Sequence, residues 1–427
     1  MHKTSQAVHT HPVQQEMSHY QKTVLDNGLR VVTESIPHVR SVSLGIWAHV
    51  GSRDEDQSAN GISHFLEHMV FKGTKNRSVL EIAQSLESLG GYLNAFTTKE
   101  QTCYYARVLD ENVPQAMDVL ADLILNATFK KQELEKEKLV VIEELKNAED
   151  DPEDIIHDYF EKALFPNHTL GNPIIGTQEN LRRFQREDLK AHVSAHYVPN
   201  KMVIAAAGSI DHNTLVGMVR KYFRGLKLNG TPSHRPASVP RRERSAYEEH
   251  SRPIKQAHVC LGTIGYGIRH RDRYPLLVLN ALLGEGMSSR LYQSIREKHG
   301  LAYSVYSYVT MLSDAGVFGA YLGTDKKNIE NALELVHKEL DKLRAREVPK
   351  TELERTKSQI KGTLMLGLEN MSGRMIRLGS SEISLDSYVS LDTILKKVNT
   401  VTAEDIRRVA LDLFDASKFS TIVIRPA

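Results

Sequence analysis

Stretches of alternating apolar and polar residues are followed by amphipathic stretches with helical spacing along most of the chain. Residues 101–108 have the composition of a β-strand, and residues 112–127 have the apolar spacing of an α-helix. A longer helical stretch covers residues 131–150. Strands that alternate with amphipathic helices predict an α/β sandwich, in which a layer of helices packs on a sheet.

This pattern of elements occurs twice in the sequence. Residues 318–343 repeat the strand and helix of residues 101–127, and the segment ELEKEK at 133–138 matches ELERTK at 352–357. Several matches in the same order indicate an internal repeat. We therefore predict the α+β class, with two homologous α/β sandwich domains.

A polar segment, residues 228–254, separates the two copies. This segment contains four prolines and many charged residues and lacks apolar periodicity, which predicts a linker. A chain of 427 residues is also too long for one ordinary core. We expect a polar, disordered tail (1–19), a first domain (20–227), the linker (228–254) and a second domain (255–427).

Composition excludes several classes of protein. The 55 basic and 53 acidic residues nearly cancel, so no basic surface indicates nucleic-acid binding. No apolar run reaches the ~18 residues of a membrane span, and the N-terminus has no signal-peptide core. Cys103 and Cys260, the only cysteines, are typical of reduced thiols. A cytoplasmic protein is expected.

Two histidines and a glutamate form a candidate metal-binding motif. His64 and His68 are four residues apart on a predicted helix, so both imidazoles project from one face, as two zinc ligands require. Glu67 lies beside them and could act on a metal-bound water. The alternative is a solvated helix face or core histidines with protein partners. The remaining positions are largely apolar, which predicts a buried helix: Phe65, Leu66, Met69, Val70 and Phe71.

Burial of these polar side chains without a partner would be costly, and a metal ion would remove that cost. The motif also occurs in one copy of the repeat only. The repeat aligns His64 with Leu277 and His68 with Ala281, so neither histidine recurs. Features that serve the fold would be present in both copies, and the one-sided motif therefore indicates function.

The helix at residues 131–150 offers a third ligand. Glu137 and Glu144 are seven residues apart, so they share a helix face, while Glu143 points about 100° away from Glu144. Glu144 is therefore the better ligand, and Glu137 could orient a histidine or the bound water. The spacing alone leaves open the alternative of surface ion pairs with lysines of the same helix.

These residues resemble the inverted zinc-motif peptidases related to pitrilysin, insulin-degrading enzyme and the mitochondrial processing peptidase β subunit. The match is HFLEHMVFKGT at 64–74, followed by Glu144, and the resemblance runs from about Tyr20 to the C-terminus. It implies the mitochondrial-processing-peptidase-like metallohydrolase fold, with helices on mostly antiparallel sheets. It also implies one zinc ion per chain, with roles for five residues: His64, His68 and Glu144 as ligands, Glu67 as base, and Glu137 as a further catalytic residue.

The resemblance implies a substrate-binding strand and two catalytic residues from the second domain. Asn94, Ala95 and Phe96 match the edge strand on which the family lays an extended peptide. Arg296 and Tyr303 match a pair that reaches the active site, where Tyr303 stabilises the oxyanion and Arg296 holds peptide carbonyls. Without the resemblance, Asn94 would be a turn residue, Arg296 a surface residue and Tyr303 a core aromatic.

Asp154 and Asp158 match acidic residues that contact substrate arginine in processing relatives. The alternative is a solvated acidic face. The long glycine-rich loop of the regulatory mitochondrial subunit is reduced here to residues 283–289. The chain therefore resembles a catalytic subunit that acts as a homodimer, or as a heterodimer with a related subunit.

The expected function is zinc-dependent endopeptidase activity on peptides or presequence-like unfolded segments, inside a two-sided chamber. One alternative is a catalytically inactive structural or partner subunit of the same family. The intact set of His64, Glu67, His68 and Glu144 disfavours that alternative. A zinc hydrolase of small molecules is a second alternative, which the substrate strand and the Arg/Tyr pair disfavour.

Overall fold

The computed structural model of the protein describes residues 20–227, here called the first half, and 245–427, the second half. The predicted tail (1–19) and most of the predicted linker lie outside the described residues. In the two described stretches, no helix combines the length and apolar character needed to cross a membrane.

The first half forms a six-stranded sheet with helices on one face. Its strands are β1 (Tyr20–Val24), β2 (Arg30–Ser35), β3 (Ser41–Ala48), β4 (Tyr92–Thr97), β5 (Thr102–Leu109) and β6 (Met202–Gly208). Its helices are α1 (Ile62–Val70), α2 (Val79–Glu87), α3 (Val113–Asn126), α4 (Lys131–Asp150), α5 (Pro152–Leu164), α6 (Gln178–Arg183), α7 (Arg186–His196) and α8 (His212–Phe223). The strand order is β1-β2-β6-β3-β5-β4, which leaves β4 at one edge.

The second half repeats this arrangement with five strands. Its strands are β7 (Tyr247–Arg252), β8 (Ala257–Gly265), β9 (Ala302–Met311), β10 (Gly316–Thr324) and β11 (Ser420–Pro426). Its helices are α9 (Arg273–Gly284), α10 (Ile329–Ala345), α11 (Lys350–Gly367), α12 (Met371–Leu385), α13 (Leu391–Asn399) and α14 (Ala403–Leu413). The order β7-β11-β8-β10-β9 matches β2-β6-β3-β5-β4 strand for strand.

Strand directions match as well. In each sheet one pair is parallel, β2 with β6 and β7 with β11, and the other pairs are antiparallel. The buried Lys138 of α4 donates to a carbonyl near the end of α6 at 3.1 Å, and Lys357 of α11 donates to the end of α13 at 3.0 Å. The predicted fold class, with two homologous sandwiches on mostly antiparallel sheets, is confirmed.

The predicted linker is wrong at its C-terminal end. Residues 247–252 form β7, so the second sandwich begins there and not at residue 255. Among the described strands, β7 pairs with β11 alone and so lies at the edge of the sheet, and most of its residues are exposed. An edge strand in contact with water needs no apolar alternation, which is why the polar sequence YEEHSR resembled a loop.

Each sheet also carries a helix from the opposite half on its other face, which the prediction of a single helical layer missed. Met375 and Leu378 of α12 pack with Val32 and Trp47 of the first sheet. Reciprocally, α5 packs on β8 and β11 of the second sheet through a set of apolar residues that includes Ile156, Phe160 and Leu164. This exchange of α5 and α12 makes the two cores depend on each other.

The contact between α12 and the first sheet leads to a stability prediction. A Cβ atom added to Gly379 of α12 would lie 2.3 Å from the ring of Trp47, which is fully buried. Gly379→Ala is therefore expected to lower the free energy of unfolding by about 1–3 kcal/mol. Urea denaturation of the full chain measures this change.

Gly362 of α11 provides the matched control, because a Cβ there meets no atom within 4 Å. Gly362→Ala is expected to raise the free energy of unfolding by up to about 1 kcal/mol through helix propensity. If Gly379→Ala proves as harmless as Gly362→Ala, α12 does not pack on the first sheet as described.

Candidate metal and substrate site

Helix α1 carries the histidine motif, and a buried carboxylate holds the start of this helix. Glu55 accepts hydrogen bonds from the backbone N–H groups of Gly61 at 2.7 Å and of Ser63 at 2.8 Å. Gly61 has φ of 98°, and its backbone lies against Gly176, where a Cβ would clash. Glu55 therefore satisfies two of the free N–H groups at the helix start and fixes the position of α1.

The structure brings together the three predicted ligands. The Nε2 atom of His64 lies 3.7 Å from Glu144 Oε1, and Nε2 of His68 lies 3.4 Å from Glu144 Oε2. One ligand atom from each residue falls within a group whose members are all within 4.8 Å of one another. Two imidazoles and a carboxylate at this separation match the ligand set of a zinc site with an open fourth position.

Glu137 orients His68 from the side away from Glu144. Its Oε1 atom lies 2.9 Å from His68 Nδ1, and its Oε2 atom lies 2.8 Å from the ammonium of Lys72. The hydrogen bond to Nδ1 leaves Nε2 of His68 to face Glu144, an arrangement common around metal-bound histidines. His64 lacks this support, because its buried Nδ1 has no hydrogen-bond partner among the described residues.

Glutamates of α4 other than Glu137 and Glu144 form the ion pairs with lysines of the same helix that were the alternative interpretation. Glu143 forms an exposed ion pair with Lys146 at 2.6 Å, and Glu133 and Glu135 likewise pair with lysines three residues ahead. Glu137 and Glu144 instead face α1 and its histidines. Helix geometry therefore directs Glu144 towards the histidines and Glu143 towards Lys146.

The charges of this cluster suit a divalent cation. Glu67, Glu137 and Glu144 bring three carboxylates close to the two histidines, and Lys72 offsets one of them. When the carboxylates are ionised, two negative charges remain. A Zn²⁺ ion held by His64, His68 and Glu144 would balance this charge, so the residues present fit the metal.

Burial and neighbouring charges set the protonation of the two histidines differently. Burial, with a contribution from His68, lowers the pKa of His64 to about 4, so this imidazole is neutral at pH 7. Burial also lowers the pKa of His68, but Glu137, Glu144 and Glu67 outweigh burial and raise that pKa overall. A neutral imidazole is the form that binds a metal, and a bound cation would take the place of the extra proton on His68.

Glu67 belongs to α1, and its side chain faces the edge strand β4. Burial raises the pKa of its carboxyl group above the ordinary value, although Thr97 and His68 act in the opposite direction. The hydroxyl of Thr97, the last residue of β4, donates a hydrogen bond to Glu67 Oε2 at 2.5 Å. The candidate base therefore lies beside the strand predicted to bind substrate.

The side chains of β4 alternate between the two faces of the sheet. Leu93 and Ala95 pack into the core beneath the helices, whereas Phe96 packs against Trp47 on the opposite face at 5.5 Å between ring centroids. Asn94 shares the face of Phe96 and donates to the hydroxyl of Tyr92 at 2.5 Å. At this edge, the backbone N–H of Ala95 donates to Oδ1 of Asn94 at 2.8 Å.

The turn between β4 and β5 is tied to both halves. The buried guanidinium of Arg53 bonds Glu100 of this turn at 2.6 Å and both carboxylate oxygens of Asp314 at 2.7 Å. Asp314 lies in the turn between β9 and β10, the counterpart of the β4–β5 turn in the second half. Ser313 of the same turn donates two hydrogen bonds to Glu100. Arg53 thus joins the two edge hairpins.

Comparison with known proteins gives the family. The sequence pattern described as insulinase (peptidase family M16) matches residues 30–178, and that of the peptidase M16 inactive domain matches residues 183–360. The uncharacterized zinc protease YmxG of Bacillus subtilis is 43% identical over 401 residues, which cover 94% of this chain and 97% of the relative. The chain belongs to the insulinase family. The predicted resemblance is confirmed.

A second relative supports the family, and a solved structure supports the fold. An uncharacterized zinc protease of Streptomyces coelicolor is 41% identical over 398 residues, covering 92% of this chain and 86% of the relative. The crystal structure of a protease from Helicobacter pylori superposes with a TM-score of 0.91 at 24% identity, covering 96% of this chain and all of that one. At this identity, the Helicobacter pylori structure supports the fold alone.

In this insulinase-family chain, Arg296 and Tyr303 lie close to each other in the second half. Arg296 lies within a π-helical turn, Tyr292–Lys298, and its Nη1 donates to the carbonyl of Tyr303 at 2.7 Å. The same guanidinium lies 4.8 Å from the ring centroid of Tyr303, whose side chain is 74% exposed. The alternative of a core aromatic is therefore wrong. Within residues 20–227 and 245–427, no hydrogen bond or ion pair joins this pair to His64, His68 or Glu144.

Asp154 and Asp158 lie on the exchanged helix α5. Asp154 is exposed and Asp158 is half-buried. Burial raises the pKa of Asp158 to about 6, while the charge of Lys99 acts in the opposite direction. Lys99 lies two residues beyond β4 and pairs with Glu161 of α5 at 2.8 Å. The structure thus places this acidic helix beside the β4–β5 turn.

Three supporting residues were missed by sequence reasoning. Glu55 precedes α1 by seven residues in a loop, and no local pattern marks it as a helix cap. Lys72 follows α1, and its position one turn beyond His68 could have indicated a partner for the Glu137 carboxylate. Thr97 is two residues from Ala95 in β4, so strand alternation could have placed it on the face of α1.

Proposed function

We propose that this chain is a zinc-dependent endopeptidase, with His64, His68 and Glu144 as the ligands of one zinc ion and Glu67 as the general base. The observation that carries the proposal is the convergence of two histidine Nε2 atoms on the Glu144 carboxylate. Glu67, a carboxylate whose pKa is raised, lies beside the edge strand. The two relatives carry the name uncharacterized zinc protease, which supports the same class of activity.

In this mechanism, zinc supplies a Lewis acid that polarises the scissile carbonyl and acidifies the attacking water. Oε2 of Glu67 accepts the hydrogen bond from Thr97, so Oε1 takes the proton of the water and returns it to the leaving amine. Glu137 keeps Nε2 of His68 directed towards the metal, and Lys72 holds Glu137 in place. Glu67 and His68 lie on α1, Glu137 lies on α4, Lys72 follows α1 by two residues and Thr97 ends β4.

The backbone of β4 would hold the substrate. An extended peptide paired with Asn94, Ala95 and Phe96 extends the sheet through main-chain hydrogen bonds and selects little by side-chain identity. Thr97 at the end of this strand contacts Glu67, so a paired peptide passes close to the base. The expected substrates are therefore peptides or unfolded segments, because the cleaved backbone must be extended and free of other pairing to lie along β4.

Arg296 and Tyr303 would complete the site from the second half. Because His64, His68 and Glu144 all lie in the first half, Tyr303→Phe and Arg296→Ala should leave the zinc content unchanged. Each should lower kcat/KM for peptides by about ten- to a thousandfold, through loss of an oxyanion donor or a carbonyl contact. Steady-state kinetics and metal analysis on the same preparations measure both quantities. Normal kcat/KM in both variants would mean that Arg296 and Tyr303 have only a structural role.

Asp154 and Asp158 would bind a substrate arginine. Asp158→Asn should raise KM about tenfold for a peptide with arginine near the cleavage site, because a charged hydrogen bond is lost. A matched peptide with citrulline in place of arginine, which has the same shape but no charge, should be cleaved alike by both proteins. An equal change in KM for the two peptides would contradict arginine recognition and favour a solvated acidic face.

We further propose that the chain acts as a homodimer or as a heterodimer with a related subunit. One chain contributes two sandwich units, and a chamber of four such units requires a second chain. Sedimentation velocity of the purified protein, alone and with a candidate partner subunit, measures the state directly. A monomer that cleaves peptides at full rate would contradict the proposal.

A peptide-cleavage assay tests the proposed function against its alternatives. An unstructured peptide of about 20–30 residues is incubated with the protein, with and without chelator, and products are identified by mass spectrometry. Internal cleavage that the chelator abolishes and added zinc restores is the expected result. Stoichiometric zinc with no cleavage of any peptide would instead favour a catalytically inactive partner subunit.

A further inference from the structure

Thr97 is the one hydrogen-bond partner of Glu67 among residues 20–227 and 245–427. Its hydroxyl donates to Oε2 of the carboxylate at 2.5 Å. Leu93 and Ala95 pack into the core beneath α1, and strand alternation places Thr97 on that same face. The contact therefore follows from the register of β4.

A glutamate side chain on a helix has several rotatable bonds, and ordering them costs free energy. The neighbours of Glu67 on α1 do not hold its carboxylate, since His68 bonds Glu137 and faces Glu144. Among the described residues, the Thr97 hydroxyl is therefore the group that holds this carboxylate in one orientation. It occupies one oxygen and leaves the other for proton transfer.

The position of Thr97 is itself fixed by the turn that follows β4. Lys99 donates to the carbonyl of Asn172 at 2.6 Å, and Gln101 donates to Ser384 of α12 at 2.8 Å. Glu100 bonds the buried Arg53 at 2.6 Å. Three consecutive side chains thus anchor the end of the strand to both halves, so the hydroxyl beside Glu67 is held in place.

We propose that Thr97 is a positioning residue that fixes the catalytic base and couples it to the strand that receives the substrate. This inference rests on the proposed function of Glu67 and β4. The hydroxyl holds one oxygen of Glu67 so that the other faces the scissile bond of a peptide paired with β4. Thr97, the last residue of β4, thereby aligns Glu67 with the bound peptide.

Thr97→Val removes the hydroxyl and keeps the shape, and Thr97→Ser keeps the hydroxyl and removes the methyl group. Thr97→Val is expected to lower kcat for an unstructured peptide about ten- to a hundredfold, with KM changed less than about twofold and zinc content unchanged. Thr97→Ser should recover kcat to within about threefold of the wild type. In a Glu67→Gln background, Thr97→Val should lower the residual rate no further, because the proton transfer that Thr97 positions is already lost.

Thr102 provides a matched control in the same hairpin. It pairs with Thr97 across β4 and β5, is fully buried, and donates its hydroxyl to the carbonyl of Val50 at 3.0 Å. Thr102→Val should lower Tm yet leave kcat within about twofold. Normal kcat in Thr97→Val would overturn the proposal, as would Thr97→Ser that is no better than Thr97→Val.

A structural measurement separates failure of this inference from failure of the proposed function. If the wild type shows no chelator-sensitive cleavage, the proposed function fails. In that case, crystal structures of wild type and Thr97→Val still test the positioning role. A Glu67 carboxylate that is ordered in the wild type and rotated or disordered in Thr97→Val supports it, and an unchanged carboxylate overturns it.

Discussion

Replacement of Glu67 by glutamine is expected to lower kcat for peptide hydrolysis by about a hundred- to ten-thousandfold while the zinc content stays the same. Glutamine has nearly the same shape as glutamate and can still accept the hydrogen bond from Thr97. It cannot take a proton from water, so only proton transfer is lost. Single-turnover rates and metal analysis of the variant measure both parts of this expectation.

The neighbouring carboxylate Glu137 gives an informative contrast. Glu137→Gln should weaken zinc binding as well as activity, because Glu137 bonds the imidazole of His68 at 2.9 Å. Near-normal turnover in Glu67→Gln would exclude Glu67 as the base. Loss of zinc in Glu67→Gln would instead assign Glu67 to the metal site.

Replacement of both histidines, His64→Ala with His68→Ala, is expected to remove zinc and hydrolysis together. Each imidazole supplies one of the three ligand atoms that converge near Glu144. The remaining carboxylate alone binds Zn²⁺ weakly, so the variant should retain less than about a tenth of the zinc of the wild type. Metal analysis after dialysis against a mild chelator gives this fraction.

Glu144 and Glu143 provide the matched pair for the third ligand. Glu144→Gln should weaken zinc binding, whereas Glu143→Gln should be nearly neutral, because Glu143 pairs with Lys146 on the surface at 2.6 Å. Stoichiometric zinc in the double histidine variant would place the metal elsewhere. Zinc loss in Glu143→Gln with normal zinc in Glu144→Gln would mean that α4 is rotated by one residue.

The repeat and the proximity of His64, His68 and Glu144 could be predicted because their signals are local or periodic. Helix spacing alone puts His64 and His68 on one face and separates Glu144 from Glu143. Matched segments in the two halves predict two sandwiches, which the strand orders confirm. The family resemblance then supplied roles for Arg296 and Tyr303, for which the local pattern gives no signal.

Long-range partners could not be predicted in the same way. The exchange of α5 and α12 leaves no mark on either helix, since an amphipathic helix can pack on any apolar surface. Arg53 bonds Glu100 and Asp314, which lie 47 and 261 residues away in sequence. The polar strand β7 resembled a linker because an edge strand needs no buried face. Each of these features depends on tertiary contacts.

The central claim is that one zinc ion at His64, His68 and Glu144 acts on a peptide held along β4. The most direct test is a crystal structure of zinc-loaded Glu67→Gln with a bound unstructured peptide, recorded with anomalous diffraction at the zinc edge. One anomalous peak is expected between the two Nε2 atoms and the Glu144 carboxylate, with the peptide paired to β4. A peak elsewhere, or a peptide bound away from β4, would contradict it.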